Sequence, residues 1–419
     1  MDAWWQCEVP YPYVPREVLA TAESVRGSLP NRYCDPRVAA DLFEEVIDEF
    51  LLCDDLGMNV LAIEHHAGIN SLLGANPMLV SILARQTRQV RILSLGTLVS
   101  LRQDPVRVAE EYATADIISR GRLDIGFVKS GGTEMPSANM NPVRNEERYW
   151  EAIDLIQKAL SSHDGPFSWE GKHFTHRHVN IWPRPWQQPH PRFWAATGDP
   201  GSAAEVGRRG MRHVLVLRGA EGTKRAYQAH RQARRDAGLP PVTTDNFAYA
   251  AFVYVGDTEE EGRRVGSKLL WFLNTSLKSA PQHSRFMPGT APPEAAPGIW
   301  RDAPLPVSAP ASSNGGDPNL TPNLTNAEKG VAPSAGQNIR RLLSIGLEEA
   351  MAMGILFVGN PDSVYRQVME FYDKVGGFGH LSLVGRSGFM THRESEKGIR
   401  LFSTEVLPRL KEIKPVEAV

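Results

Sequence analysis

Glu64, His65 and His66 follow one another in the chain and form a group able to do chemistry. An acid beside two imidazoles can hold, orient or move a proton near neutral pH. The preceding run, Val60-Leu61-Ala62-Ile63, is apolar and strand-like, with Gly57 before and Gly68 after as breaks. A buried strand ending in this cluster places it at the carboxyl edge of a parallel sheet, where α/β folds bind ligands. Taken alone, the same residues read equally well as a polar tie at a strand end.

A second group is Thr197-Gly198-Asp199-Pro200-Gly201-Ser202, where a strand hands over to a helix. The free N–H groups of a helix start can hold an anion. Ser202 adds a hydroxyl and Gly201 permits close approach. A simple N-cap by Asp199 is the plainer alternative. Lys129-Ser130-Gly131-Gly132 ends another strand with a cation, which neutralises phosphate as a point charge rather than a fork. No Walker-type order of Gly, Lys and Ser/Thr is present. His173, His176 and His178 suggest zinc, but they lie in what reads as a short exposed hairpin or loop. No acid or cysteine completes a ligand set there, so no metal is expected.

A repeated unit must position these groups. Asp35-Pro36, Asn76-Pro77, Asp104-Pro105, Asp199-Pro200 and Asn360-Pro361 each open a helix, with a capping side chain followed by a residue that lacks an N–H. Strands are expected at 4–9, at 60–63 running into Glu64, and at 90–99, 122–128, 193–197, 213–217, 247–255 and 380–384. Strands alternating with helices eight times predict an α/β fold of the (β/α)8 TIM-barrel type. An open doubly wound sheet is the rival, weakened by the lack of a glycine-rich dinucleotide fingerprint. Residues 281–337 are rich in Pro, Ala, Ser, Asn and Gly and keep no apolar period. They are expected to be a flexible insertion after strand seven that serves as an active-site lid. Too little chain follows for a separate core, so residues 1–419 are read as one barrel domain; a domain linker is the alternative.

The chain has 419 residues, with 46 Lys plus Arg against 48 Asp plus Glu, a net charge of −2. No basic field argues for nucleic acid or an anionic membrane. No signal peptide or membrane-spanning run is visible. The three cysteines, Cys7, Cys34 and Cys53, lack metal-ligand spacing and read as reduced thiols of a cytoplasmic protein.

Several runs in order resemble the bacterial luciferase-like flavin-dependent monooxygenase family. They are Glu64-His65-His66, Gly74-Ala75-Asn76-Pro77, the stretch from Asp104 to Glu111, and the stretch from Ser119 to Phe127. The stretch from Trp182 to Pro191, Gly201-Ser202-Ala203-Ala204-Glu205, Gly359-Asn360-Pro361 and the closing stretch from Leu401 to Pro408 continue the series. The resemblance implies a barrel that binds reduced FMN, or in some branches a deazaflavin, at the carboxyl ends of its strands. It further implies a separate flavin reductase, molecular oxygen as co-substrate and a flavin peroxide that oxygenates a small organic substrate by hydroxylation or Baeyer–Villiger insertion. A homodimer through the helices after strands two and three is also implied. By the same resemblance His65 is the catalytic histidine; from the residues themselves, Glu64 can fix an imidazole tautomer and His66 reads as structural. Thr97, Lys129, Ser130, Thr197, Gly198, Gly201 and Ser202 are the implied cofactor-binding residues. Two departures stand out: Lys129-Ser130 where many relatives have Arg-Gly, and Val128 where luciferases have a reactive cysteine. A deazaflavin-dependent hydride-transfer enzyme and a non-catalytic flavin-binding protein remain as alternatives.

Overall fold

Parallel strands close into a barrel in the computed structural model, which describes residues 1–66, 68–130, 134–140, 144–278 and 342–417. In chain order the strands are β1 (Asp2–Gln6), β2 (Asn59–Ala62), β3 (Ile92–Thr97), β4 (Leu123–Val128), β5 (Phe167–Glu170), β6 (Thr175–Val179), β7 (Phe193–Ala196), β8 (Arg212–Val216), β9 (Phe247–Val255), β10 (Leu356–Gly359) and β11 (His380–Val384). Eight of them form the ring β1-β2-β3-β4-β7-β8-β9-β11, which closes because β11 pairs with β1 and β9 pairs with both β8 and β11. The expected (β/α)8 architecture is therefore present, with each ring strand inside or overlapping its expected segment.

Two additions sit on the ring. β5 and β6 form an antiparallel hairpin. β10 pairs with the upper part of β9, from Phe252 to Val255, beyond the point where β8 stops pairing at Ala250. The expected lid, 281–337, lies outside the described residues. From residue 342 the chain contributes β10 and then β11, the strand that closes the barrel.

The α-helices are α1 (Arg16–Thr21), α2 (Pro36–Asp55), α3 (Asn76–Gln86), α4 (Pro105–Ser119), α5 (Asn145–Ser161), α6 (Pro200–Arg208), α7 (Ala220–Asp236), α8 (Glu259–Gly266), α9 (Leu347–Ala352), α10 (Pro361–Val375), α11 (His392–Leu401) and α12 (Leu407–Lys411). At α2, α4, α6 and α10 the Asx side chain caps the first turn, accepting from Arg37, Val106 and Arg107, Ser202 and Ser363 N–H groups respectively. Asn76 behaves differently. Its buried carboxamide turns inward and donates to Ser94 Oγ at 2.7 Å, so it ties α3 to β3 instead of capping. Among the described residues no helix is long and apolar enough to cross a membrane.

Alternation along the strands sorts the core into two shells. Trp4, Leu61, Leu93, Leu95, Trp194, Val214 and Ala248 pack inside the barrel, with Ile63 and Ala196 partly covered above them. A filled interior makes this a core rather than a pore. The next inward position on β8, Val216, is 43 % exposed. The plug therefore ends at the level of Ile63, Ala196 and Val216, and the mouth opens above an apolar floor.

Candidate active site at the barrel mouth

Glu64, His65 and His66 lie just past β2, on the carboxyl rim of the barrel. The structure divides their tasks. Glu64 is fully buried and accepts from His66 Nε2 at 3.0 Å and from Arg102 Nη2 at 2.8 Å. Of the two imidazoles it could orient, it thus holds His66 and leaves His65 to other partners.

His65 sits between two buried carboxylates that the sequence did not single out. Its Nδ1 lies 3.3 Å from Glu134 Oε1, and its Nε2 lies 3.8 Å from Glu8 Oε1. Glu134 also accepts from the His66 backbone N–H at 3.0 Å, and Asn70 Nδ2 donates to Glu8 Oε2 at 3.2 Å. Arg26 Nη2 approaches Nδ1 at 3.5 Å. Burial disfavours the imidazolium, but Glu8 and Glu134 outweigh it and hold the His65 pKa above the ordinary 6.5. The Nδ1 edge is committed to Glu134. Nε2 is beyond hydrogen-bond range of Glu8 and is the nitrogen left to meet a ligand. The His65 side chain is 24 % exposed and faces a cleft of ≈ 300 Å³ walled by Tyr11, Tyr33, Cys34, Ile69 and Leu72. A second cleft of similar volume lies between Gly219–Gly222 and Met351–Gly354, and none of the residues expected to act lines it. The geometry of charge and side chains points to the His65 cleft instead.

Around the rim, the structure brings together three residues from the ends of β4 and β7. Lys129 Nζ donates to Ser202 Oγ at 2.7 Å and lies 4.0 Å from Asp199 Oδ2. Asp199 Oδ1 accepts the Ser202 N–H at 2.8 Å. Burial would raise the Asp199 pKa, but these Ser202 bonds and Lys129 lower it. Pro200 has no N–H and that of Ser202 is capped, so Gly201 supplies the free donor of the first turn. Lys129 also pairs with Glu146 Oε2 at 2.5 Å, a partner absent from the sequence reading.

The other expected cofactor residues are placed as follows. Ser130 and Thr197 are buried, and neither hydroxyl has a partner among the described residues. The Thr197 carbonyl accepts from His213 Nε2 at 3.0 Å. Gly198 touches the guanidinium of Arg218. Thr97 is fully buried, and its hydroxyl is bonded to Tyr112 of α4, which in turn meets Ser94 Oγ at 2.6 Å. Its hydroxyl is therefore engaged behind β3 and not presented at the mouth. Gly131 and Gly132 lie outside the described residues. On the β5–β6 hairpin, His173 faces Glu147 at 3.3 Å and His176 faces Asp104 at 3.8 Å.

These residues fit a flavin. Lys129, Ser202 and the α6 start present their donors together to an anion, and the buried Ser130 hydroxyl, next in the chain to Lys129, has no partner among the described residues. Gly96 adds a close approach: a Cβ there would lie 2.2 Å from Val128 Cγ2. Val128, Ala196 and Val216 thus offer a low apolar surface to a flat ring.

Comparison with known proteins supports the same reading of the fold. A model of the luciferase-like monooxygenases matches residues 29–377. The oxygenase component of a flavin-dependent trigonelline monooxygenase from Acinetobacter baylyi is 28% identical over 248 residues, 58% of this chain and 68% of that protein. A monooxygenase from Streptomyces bottropensis has the same fold, with a TM-score of 0.67 at 23% identity over 98% of this chain and 99% of that one. So does the oxygenating constituent of 3,6-diketocamphane monooxygenase from Pseudomonas putida, solved with FMN, with a TM-score of 0.64 at 18% identity over 92% and 95% of the two chains. The chain belongs to the luciferase-like monooxygenase family.

Proposed function

We propose that this chain is the oxygenase component of a two-component flavin monooxygenase. It takes reduced FMN from a separate flavin reductase and uses molecular oxygen to oxygenate a small organic substrate. The observation that carries the reading is His65, flanked by buried Glu8 and Glu134 beside the cleft. The trigonelline relative, named as a flavin-dependent oxygenase component, supports the two-component form, and the FMN-bound neighbour supports the choice of flavin.

Reduced FMN supplies the electrons and the site of oxygen activation when bound. Lys129, Ser202, Ser130 and the Gly201 N–H hold its phosphate. Val128, Ala196 and Val216 would pack against the ring and help exclude water from it. His65, charged through Glu8 and Glu134, donates a proton from Nε2. Glu134 holds Nδ1 and so fixes the ring's direction. Glu64 positions His66 and Arg102 as the wall behind. The proposal includes a single barrel domain, a cytoplasmic location consistent with three free cysteines, and a homodimer through α3 and α4, whose outer faces expose Met78, Ile82, Ile117 and Ile118.

Anaerobic titration with reduced FMN, oxidised FMN and riboflavin tests the reading, followed by aeration with a generic flavin reductase. Tighter binding of the reduced form, dependence on the phosphate and flavin-driven oxygen uptake are expected. Protein that fails to bind reduced FMN, or that holds stoichiometric NAD or FAD, contradicts it.

A further inference from the structure

In the eight-strand ring, β8 stands four strands from β2 and thus directly across the mouth from His65. Arg218 follows β8, and its side chain lies on the bare backbone of Gly198. A Cβ at residue 198 would come within 2.5 Å of Nη2, 2.6 Å of Nε and 2.9 Å of Cζ. Gly198 is not among the positive-φ glycines, so its backbone is open to any residue. What excludes a larger side chain there is the guanidinium.

The root of Arg218 is fixed. Its carbonyl accepts from Thr223 Oγ1 and from the fully buried Tyr249 hydroxyl, both at 3.1 Å. The residue before it, Leu217, has a left-handed φ of 50° and donates its N–H to Ala250 O at 3.0 Å. Yet the guanidinium has no hydrogen-bond or ion-pair partner among the described residues. Other arginines near the strand ends are matched: Arg102 with Glu64, Arg192 with Asp124, Arg212 with Asp245, and Arg386 with Glu49. A half-buried fork of five donors, held in place and left without an acceptor, suits a planar oxyanion.

We propose that Arg218 anchors the carboxylate of the substrate, so that the enzyme acts on small organic acids held between Arg218 and His65. The inference rests on the monooxygenase reading and names its substrate class. A flavin phosphate offers similar chemistry. The substrate is favoured because Lys129, Ser202 and the α6 start already present donors to a phosphate, and because the hydrogen bonds of Lys129 and Ser202 run to each other, Glu146 and Asp199 and not to Arg218.

The test measures binding of benzoate, benzamide, FMN and riboflavin to the wild type, R218Q and R218M. Both carboxylate and amide are titrated with and without FMN. R218Q keeps a polar end without the charge, and R218M keeps an unbranched side chain without any donor. Benzoate is expected to bind the wild type and to lose at least about 10-fold in affinity in both variants, as for a lost charge-assisted hydrogen bond. Benzamide, FMN and riboflavin affinities are expected to stay constant. Weakened FMN with unchanged riboflavin and benzoate would assign Arg218 to the flavin phosphate and overturn the inference. Unchanged affinities throughout, or a wild type that prefers benzamide to benzoate or binds neither, would overturn it as well. Carboxylate binding needs no oxygen turnover, so this failure is distinct from failure of the monooxygenase reading, which shows in the reduced-flavin titration.

Discussion

A pair of histidines in the barrel wall and the single His65 at its mouth are handled in opposite ways. His213 and His230 stack with ring centroids 5.7 Å apart and planes 6° apart, fully buried in the barrel wall. Their Nε2 atoms meet backbone carbonyls, of Thr197 at 3.0 Å and Met211 at 3.1 Å. Burial pushes their pKa values down to about 3 and about 4, with His230 adding to the fall at His213. His65 is also desolvated, but two carboxylates reverse the sign. The difference teaches that depth alone makes a histidine a neutral packing group. Depth with buried acids makes it a charged group that titrates where enzymes work.

The largest effect expected from breaking this contrast is at His65. His65→Ala removes the titrating group and leaves the buried Glu8 and Glu134 without its charge, so stability falls too and product is compared per folded molecule. Product formation should fall roughly 100- to 10,000-fold. Reduced flavin should still be oxidised, with hydrogen peroxide replacing product. Product yield per flavin oxidised checks this, and wild-type yield in the variant would remove His65 from the mechanism. At the wall pair, His230→Ala should lose roughly 1–3 kcal/mol by cavity formation, read from urea unfolding, while yield per folded molecule holds.

A smaller effect sharpens the contrast through pH. The folded-state pKa of His65 is raised, so its charge contributes stability fully below pH 6.5 and the contribution is lost as pH rises through the raised value. His230 has a lowered pKa, and its contribution is present above 6.5 and lost as pH falls toward about 4. Glu134→Gln should therefore move the alkaline limb of the product–pH profile to lower pH. An unmoved limb would show that Glu134 does not set the charge of His65. The smallest effect is expected at Glu146, which competes for Lys129 from an exposed position. Glu146→Gln should tighten FMN binding by about 2- to 5-fold, the range of an exposed ion pair, as read by fluorescence titration; weaker binding would give Glu146 a supporting role instead.

Much of the barrel was legible because its signals are local. Asx-Pro pairs start helices wherever the capping oxygen is free, and Asn76 departs from the rule because Ser94 draws its side chain inward. β10 was not among the expected strands, because Leu356-Phe357-Val358-Gly359 directly before Asn360-Pro361 is too short a run to show a period. In the site, local motifs singled out His65, Lys129 and Ser202, which the structure sets beyond the carboxyl ends of β2, β4 and β7. Glu8 and Glu134 were hidden because they lie 57 positions before and 69 positions after His65 and carry no motif. Adjacency of β1 and β2 in the ring, with both strands ending at the same rim, was the available clue for Glu8. Arg218 was hidden for the same reason, since only closure of the ring sets β8 opposite β2. For Thr97, sequence places the backbone at a strand end but is silent on Tyr112, which takes its hydroxyl.

The most direct test is an NMR titration of the His65 ring in histidine-labelled protein, assigned with His65→Ala, in the wild type and in Glu134→Gln. A wild-type midpoint above 6.5 that falls in Glu134→Gln is the expected result. A midpoint at or below 6.5 in the wild type, as expected for His213 and His230, would contradict the account of a histidine held charged at the barrel mouth.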